Sequence, residues 1–280
     1  MLVTPSGEAC GATVVGVNLA GSLSGDLVAE IRAVWLEHHV LAFPDQAMSD
    51  DDLEAFTVAM GGFGDDPFIA PILGRTHVIA IERRADETSS LFAENFHSDW
   101  SFQAVPPAGT CLYGITIPPM GGDTLFANQH LALDRMPDQL RSRLEGRTAI
   151  HSARVPYAPS GVYGANDRAG RSMDIRSSAD AESTQLHPLI RRHPETGREG
   201  LFSTVGYIVG IEGMDDSEAM PLLVELHRWQ TRAEFVYRNR WSKGMLVMWD
   251  NRSLLHAATG GYDGYDRLLH RTTIRGSQSA

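Results

Sequence analysis

Asn95-Phe96-His97-Ser98-Asp99-Trp100 is the stretch on which the reading of the fold turns. In an extended segment His97 and Asp99 point to the same side of the backbone, because side chains alternate faces with a period of two. One metal ion can therefore take a ligand from each. Read alone, the pair is first taken as a loop histidine beside a carboxylate, since a chain with 11 histidines meets this pattern about once by accident. The far end of the chain changes that reading. There Trp249-Asp250-Asn251-Arg252-Ser253-Leu254-Leu255-His256 supplies another histidine, and Arg267 and Arg271 follow. A fold must gather residues this far apart, and many short strands with few long helices suit a mainly β barrel or jelly roll whose distant strand ends meet at one mouth.

Outward from the motif, the strands are read from β-branched and apolar runs bounded by glycine and proline. They are expected at Gly11 to Leu19, Val40 to Phe43, His77 to Glu82, Ala108 to Pro118, from Thr124, Arg147 to Ser152, Phe235 to Trp241, Met245 to Trp249 and Leu268 to Arg275. Gly121-Gly122 suits a hairpin turn into the Thr124 strand. Leu186 to His193 and Gly200 to Thr204 make a second hairpin around Pro194-Glu195-Thr196-Gly197. Helices are expected from Leu27 to His39, after the Ser49 and Asp52 capping pair up to Gly61-Gly62, after Asn128 to Gly146 with a break near Pro137, and from Asp216 to Ala233. Arg83 to Glu94, a polar connection ending at the motif, suits a substrate lid or a disordered surface loop. Residues 153 to 183 show no clear period and read as an insertion that shapes substrate choice if it covers a cleft.

Composition sets the outer limits. A chain of 280 residues with 42% hydrophobic content can bury a full core, so residues 1–280 are read as one domain. The net charge of -11 and the lack of a Lys/Arg cluster exclude a general nucleic-acid binder. No apolar run approaches the ~20 residues of a membrane span, and the N-terminus lacks a secretion signal, so the chain reads as a soluble cytoplasmic protein with no membrane partner. Cys10 and Cys111 are isolated and are expected to be reduced thiols.

Two histidines and a carboxylate occupy one face of a metal ion and leave three positions open, the arrangement of non-haem Fe(II) oxygenases, whereas structural zinc sites are closed by four ligands. Arg267 and Arg271 lie an even number of positions apart on the last strand and face one way, with His270 facing the other. Guanidinium groups aimed into a pocket match carboxylates or sulfonates bidentately. From the strand alone, surface salt bridges on an edge strand explain the pair as well.

Taken together, His97-Ser98-Asp99, Gly121-Gly122-Asp123-Thr124, Trp249-Asp250-Asn251-Arg252 with His256, and Arg267 with Arg271 resemble the iron and 2-oxoglutarate dependent dioxygenases of the taurine dioxygenase family, in order and over nearly the whole chain. The resemblance implies a double-stranded β-helix, or jelly roll, of the cupin-like kind with flanking helices. It implies Fe(II) held by His97, Asp99 and His256, with 2-oxoglutarate fixed at its far carboxylate by Thr124 and Arg267. O2 is the third partner of that chemistry. Arg271, with Asn95 and Phe102, is the candidate for the primary substrate, a small acidic organic molecule such as a sulfonate, sulfate ester or aryloxyalkanoate. The products implied are succinate, CO2 and a hydroxylated substrate. Asp99 favours hydroxylation over halogenation, because halogenating relatives lack that carboxylate. Family members are often dimers or tetramers, so a homo-oligomer is implied.

The chain departs from the taurine enzymes where they bind taurine. Asp65-Asp66-Pro67-Phe68-Ile69-Ala70-Pro71 has neither the histidine nor the tyrosine found there. Phe68, Phe102, Tyr157 and Tyr207 suggest a larger, more apolar substrate, and His151-Ser152-Ala153-Arg154 with Ile211-Glu212-Gly213-Met214 look closer to the branch that cleaves aryloxyalkanoate acids. His130, His187, His193 and His227 are expected in solvated or capping roles, and His151 in a buried, hydrogen-bonded one. Two other classes use the same ligands, a metal-dependent hydrolase and a non-catalytic metal or 2-oxoglutarate sensor. A hydrolase has no use for Thr124 with Arg267.

Overall fold

The structure is a computed structural model and describes residues 1–277 apart from 165, 166, 168 and 169. Seven strands form the larger sheet, in the spatial order Leu2–Pro5, Ala12–Val15, Val40–Phe43, Leu246–Asp250, Gly109–Thr116, Arg267–Ile274 and Ile79–Arg83. A smaller sheet orders Val236–Asn239, Thr124–Asn128 and Leu254–Ala258. The two sheets are joined by one core. Phe126, Tyr237 and Leu254 of the smaller sheet pack with Ala42, Leu112, Val247, Trp249 and Leu269 of the larger one, and the Phe126 and Trp249 rings stand 5.4 Å apart. This is the jelly roll expected above.

The helices cover the other face of the larger sheet. Leu41 and Phe43 point to Ile31, Trp35, Leu53 and Phe56 on the helices Gly25–His38 and Asp50–Met60, while Val40 and Ala42, alternating with them, point between the sheets. Burial on both faces is why these strands read as unbroken apolar runs. Ser49 caps the second helix as its sequence predicts. Its hydroxyl accepts from Asp52 N at 3.2 Å, and its backbone N–H donates to the Asp52 carboxylate at 2.8 Å.

Several expectations are corrected. Gly121-Gly122 does not close a hairpin, because Gly109–Thr116 and Thr124–Asn128 lie in different sheets; both glycines have φ +68°, and a Cβ on Gly121 would stand 2.5 Å from Gly261 O. The pair turns the chain from one sheet to the other. Leu254–Ala258, which carries His256, is a strand the sequence reading leaves out: it is buried almost throughout, so it shows no alternation. Ile190–Arg192 does pair with Glu199–Leu201 around the expected turn, but Thr184–Pro188 joins Thr148–Ser152 and Ile208–Ile211 in a separate sheet. Arg267–Ile274 is an interior strand, which removes the edge-strand reading of its arginines. His130, His187 and His193 are buried rather than solvated, and His193 Nε2 lies 3.0 Å from Asp250 Oδ2. Part of the insertion at 153 to 183 lies outside the described residues; its described portion includes the helix Arg154–Tyr157 and a bridge from Ile175 to Ile69. Among the described residues no helix is long and apolar enough to cross a membrane.

Candidate metal centre and its cavities

The sheets place the two motif ends against each other. His97 lies just outside the smaller sheet's strand Leu254–Ala258 and forms an isolated antiparallel bridge to His256. Their ligand atoms and that of Asp99 all lie within 4.8 Å of one another. His97 Nε2 and His256 Nε2 stand 3.6 and 3.7 Å from the same oxygen, Asp99 Oδ1.

Each side chain is oriented by a neighbour. His97 Nδ1 lies 2.9 Å from Asn95 O, an acceptor that fixes the proton on Nδ1 and leaves the Nε2 lone pair toward the cluster. Asp99 Oδ2 accepts from Thr110 Oγ1 at 2.6 Å, so Oδ1 is the oxygen left facing the histidines. Burial by itself would raise the Asp99 pKa; the Arg271 guanidinium, 3.6 Å from Oδ1, and the two histidines outweigh it and hold the carboxyl well below the usual range. Burial beside His97 brings His256 down to about 3. Its Nδ1 is buried without a hydrogen-bond partner among the described residues. The donor set is thus one ionised carboxylate and two imidazoles with their Nε2 atoms turned to it, the donor types a divalent transition metal takes.

One cavity collects His97, His256, Thr124, Arg267 and Arg271, and Leu91, Phe92, Met173 and Tyr262 also line it. Among the described residues Arg267 has no anionic partner, and its guanidinium carbon lies 5.8 Å from the Tyr262 ring centre. Its Nη2 donates to Gly122 O at 3.1 Å, its Nε has no partner, and no carboxylate pairs with it among the described residues. Burial pushes its pKa down. A buried guanidinium is stable only when paired, and Thr124, whose hydroxyl accepts from Trp241 Nε1 at 3.0 Å, sits on the same wall. Arg271 differs. Its Nε is likewise without a partner among the described residues, but it is ion-paired to Asp66, and its guanidinium carbon lies 5.1 Å from the Trp100 ring centre.

A second cavity, of about 250 Å³, meets the first at Phe92, Ala93 and His97 and is lined by Asn95, Tyr157, Tyr163, Val205 and Tyr207. Of the sequence-named aromatics, Tyr157 and Tyr207 line it. Phe68 and Phe102 stand behind, with Phe102 5.0 Å from the Tyr207 ring and 5.7 Å from Phe68. The segments 83 to 94 and 153 to 183 are tied together over the cavities: Arg171 donates to Ser90 O at 3.0 Å, Ser172 N to Glu87 at 2.9 Å and Ala93 N to Tyr163 at 3.3 Å. Asp66, Thr110, Tyr262 and Arg171 are site residues that the sequence does not single out. Asp66 falls within the stretch Asp65 to Pro71, but nothing local marks a lone aspartate as the partner of an arginine on the last strand.

Comparison with known proteins places this geometry in a family. Residues 2–273 match the family described as taurine catabolism dioxygenase TauD, TfdA family. The (S)-phenoxypropionate/alpha-ketoglutarate-dioxygenase of Delftia acidovorans is 34% identical, the match covering 91% of this chain and 88% of that protein. The alpha-ketoglutarate-dependent 2,4-dichlorophenoxyacetate dioxygenase of Cupriavidus pinatubonensis is 33% identical, over 94% of this chain and 93% of that one. A crystal structure of a taurine dioxygenase from Burkholderia xenovorans superimposes with a TM-score of 0.80 at 30% identity, over 99% of this chain and 89% of that one.

Proposed function

The chain belongs to the taurine catabolism dioxygenase TauD, TfdA family and is a non-haem Fe(II)- and 2-oxoglutarate-dependent dioxygenase; from that premise we propose how its own residues divide the work. His97, Asp99 and His256 hold the Fe(II). Arg267 and Thr124 hold the far carboxylate of 2-oxoglutarate, and the primary substrate enters the aromatic cavity beside His97. The substrate is a small acidic organic molecule with an apolar body, of the aryloxyalkanoate or sulfate-ester kind that relatives are named for. Its acidic group is drawn to Arg271. The whole of residues 1–280 is one catalytic domain, and its two free, buried cysteines fit a reducing cytoplasm.

Bound Fe(II) supplies the O2 chemistry that couples decarboxylation of 2-oxoglutarate to hydroxylation of a substrate C–H bond. The protein's part is orientation and an apolar lining. Thr110 presents one Asp99 oxygen to the metal, and Arg271 keeps that carboxylate ionised. Arg267 and Thr124 give 2-oxoglutarate one pose, which converts a weak encounter into a positioned one. Leu91, Phe92 and Met173 give the first cavity apolar lining, and Tyr157 and Tyr207 offer aromatic walls to the substrate.

The observation that carries this assignment is the unpaired, buried Arg267 on the same cavity as the three-ligand cluster. A hydrolase leaves that charge unanswered. The test is an anaerobic titration of apoprotein with Fe(II) and 2-oxoglutarate, followed by the visible charge-transfer band of the chelated metal. The band is expected in the parent and lost in His97→Ala, with the 2-oxoglutarate needed to raise it much increased in Arg267→Ala. Normal 2-oxoglutarate binding by Arg267→Ala would overturn the assignment.

A further inference from the structure

We propose that Asp66 is an internal competitor for Arg271: it stands where a substrate's anion would, and so sets how strongly the site prefers an acid to its neutral counterpart. The inference rests on the dioxygenase reading above and concerns the selectivity of that site.

Asp66 is a fixed partner of Arg271. Arg271 Nη2 donates to Asp66 Oδ1. That oxygen also accepts from Trp100 Nε1 at 2.8 Å, and Asp66 Oδ2 accepts from Thr273 Oγ1 at 3.2 Å. The Trp100 ring lies under the same guanidinium, 5.1 Å from its centre. With the Asp66 side chain 9% exposed, the carboxylate is held by three donors instead of water.

Charge balance shows what this does. With Fe(II) and the dianion of 2-oxoglutarate in place, Asp99, Arg267 and Arg271 leave one positive charge over. Asp66 cancels it, and so would the anion of a substrate. The aromatic cavity offers such an anion no other home: its lining contains Glu94 but no lysine or arginine among the described residues. A carboxylate buried there without a cation is strongly disfavoured. An acidic substrate must therefore contend with Asp66 for Arg271, whereas a neutral one need not.

The test uses Asp66→Asn, which keeps the shape and an acceptor for Trp100 but removes the charge. Binding is read as the shift of the charge-transfer band in the anaerobic protein loaded with Fe(II) and 2-oxoglutarate. The probes are phenoxypropionate, its uncharged amide, and inorganic sulfate, all at constant ionic strength. Removing a buried like charge is expected to tighten the acid about tenfold or more, bring in sulfate binding, and leave the amide within about twofold. A merely structural role would move acid and amide alike, and that result, or unchanged or weaker acid and sulfate binding, overturns the inference. Asp66→Ala must reproduce the selective gain. If the parent forms the band and neither variant does, Asp66 is structural and the inference fails. No band in the parent would instead overturn the dioxygenase reading itself, and this inference with it.

Discussion

His97 and His256 exchange both of their backbone hydrogen bonds, His97 N to His256 O at 3.0 Å and His256 N to His97 O at 2.8 Å. The two distant motifs are therefore registered to each other by backbone hydrogen bonds that do not pass through the ligand side chains. In an antiparallel pair of this kind the facing side chains emerge on the same side, and here the imidazole centroids stand 4.2 Å apart.

That pairing separates folding from metal binding. His256→Ala keeps the backbone pair and removes a buried ring whose Nδ1 has no partner, so no satisfied hydrogen bond is lost. The apoprotein is expected to keep its melting temperature within a few degrees, roughly the effect of ~1 kcal/mol in a chain this size. Stoichiometric Fe(II) binding should disappear. Calorimetric titration of His256→Ala with Fe(II) under anaerobic conditions checks this, and binding at the parent's affinity would remove His256 from the ligand set.

Thr110 orients the Asp99 carboxylate. Its hydroxyl donates to Asp99 Oδ2 at 2.6 Å while accepting from Asn251 Nδ2 at 2.9 Å, and Asn251 Oδ1 accepts from Trp249 Nε1 at 2.9 Å. A chain of donors thus runs from the WDNR motif to the carboxylate. Thr110→Val should weaken Fe(II) binding about 10- to 100-fold, the usual effect of removing a partner of a metal ligand, and Thr110→Ser should restore it. Equal affinities for Val and Ser variants would mean that the hydroxyl does not orient Asp99.

Gly122 couples a turn to the co-substrate. Its φ is +68°, and a Cβ there would stand 3.0 Å from Arg267 Nε. Gly122→Ala should therefore combine backbone strain of about 1 kcal/mol with a displaced guanidinium. The expected result is a higher requirement for 2-oxoglutarate with Fe(II) affinity unchanged, read from the charge-transfer titration at fixed metal. Arg267→Lys should fail in the same direction, since an ammonium cannot reproduce the planar fork. Loss of Fe(II) binding in Gly122→Ala would instead show that the turn supports the whole centre.

Much of this was legible in the sequence for a physical reason: a metal site fixes residue types and local spacing. The even spacing of Arg267 and Arg271 follows from strand geometry, whereas Asp99 opens a turn just after the isolated His97 bridge and reaches His97 that way; the structure brings the six named residues His97, Asp99, Thr124, His256, Arg267 and Arg271 together. The Ser49 cap is equally local. Contacts set by tertiary packing were not legible. Asp66 meets Arg271 only because a loop after the second helix lies against the last strand, and Leu254–Ala258 carries no alternation because both its faces are covered. The separation of the Gly109–Thr116 and Thr124–Asn128 strands into different sheets leaves no trace in the glycine pair that joins them.

Buried histidines away from the metal predict how the fold responds to acid. Burial lowers the pKa of His39 to about 4 and of His151 to about 3; His151 is fully buried with Nδ1 3.0 Å from Ser101 Oγ. In the unfolded chain each titrates near 6.5. Between those values the unfolded state binds more protons than the folded one, so stability rises with pH there: it is complete above about 6.5 and is lost as the pH falls below it. Asp250 titrates in a lower range. Burial would raise its pKa, but Arg252 and His193 hold it well below the ordinary carboxylate value, so its contribution persists until the pH drops below about 4. The window from pH 7 to 5 therefore reports the buried histidines: His39, His151 and, in the metal-free protein, His256 each contribute a loss of about 2 kcal/mol at pH 5 by the linkage relation, and His130, His187 and His227, also lowered by burial, act in the same direction. Urea unfolding of the apoprotein at the two pH values should show this drop, and His151→Gln should make it smaller by about 2 kcal/mol, the share of one such histidine. A stability that stays level from pH 7 to 5 would mean that these histidines can take up protons without unfolding the protein.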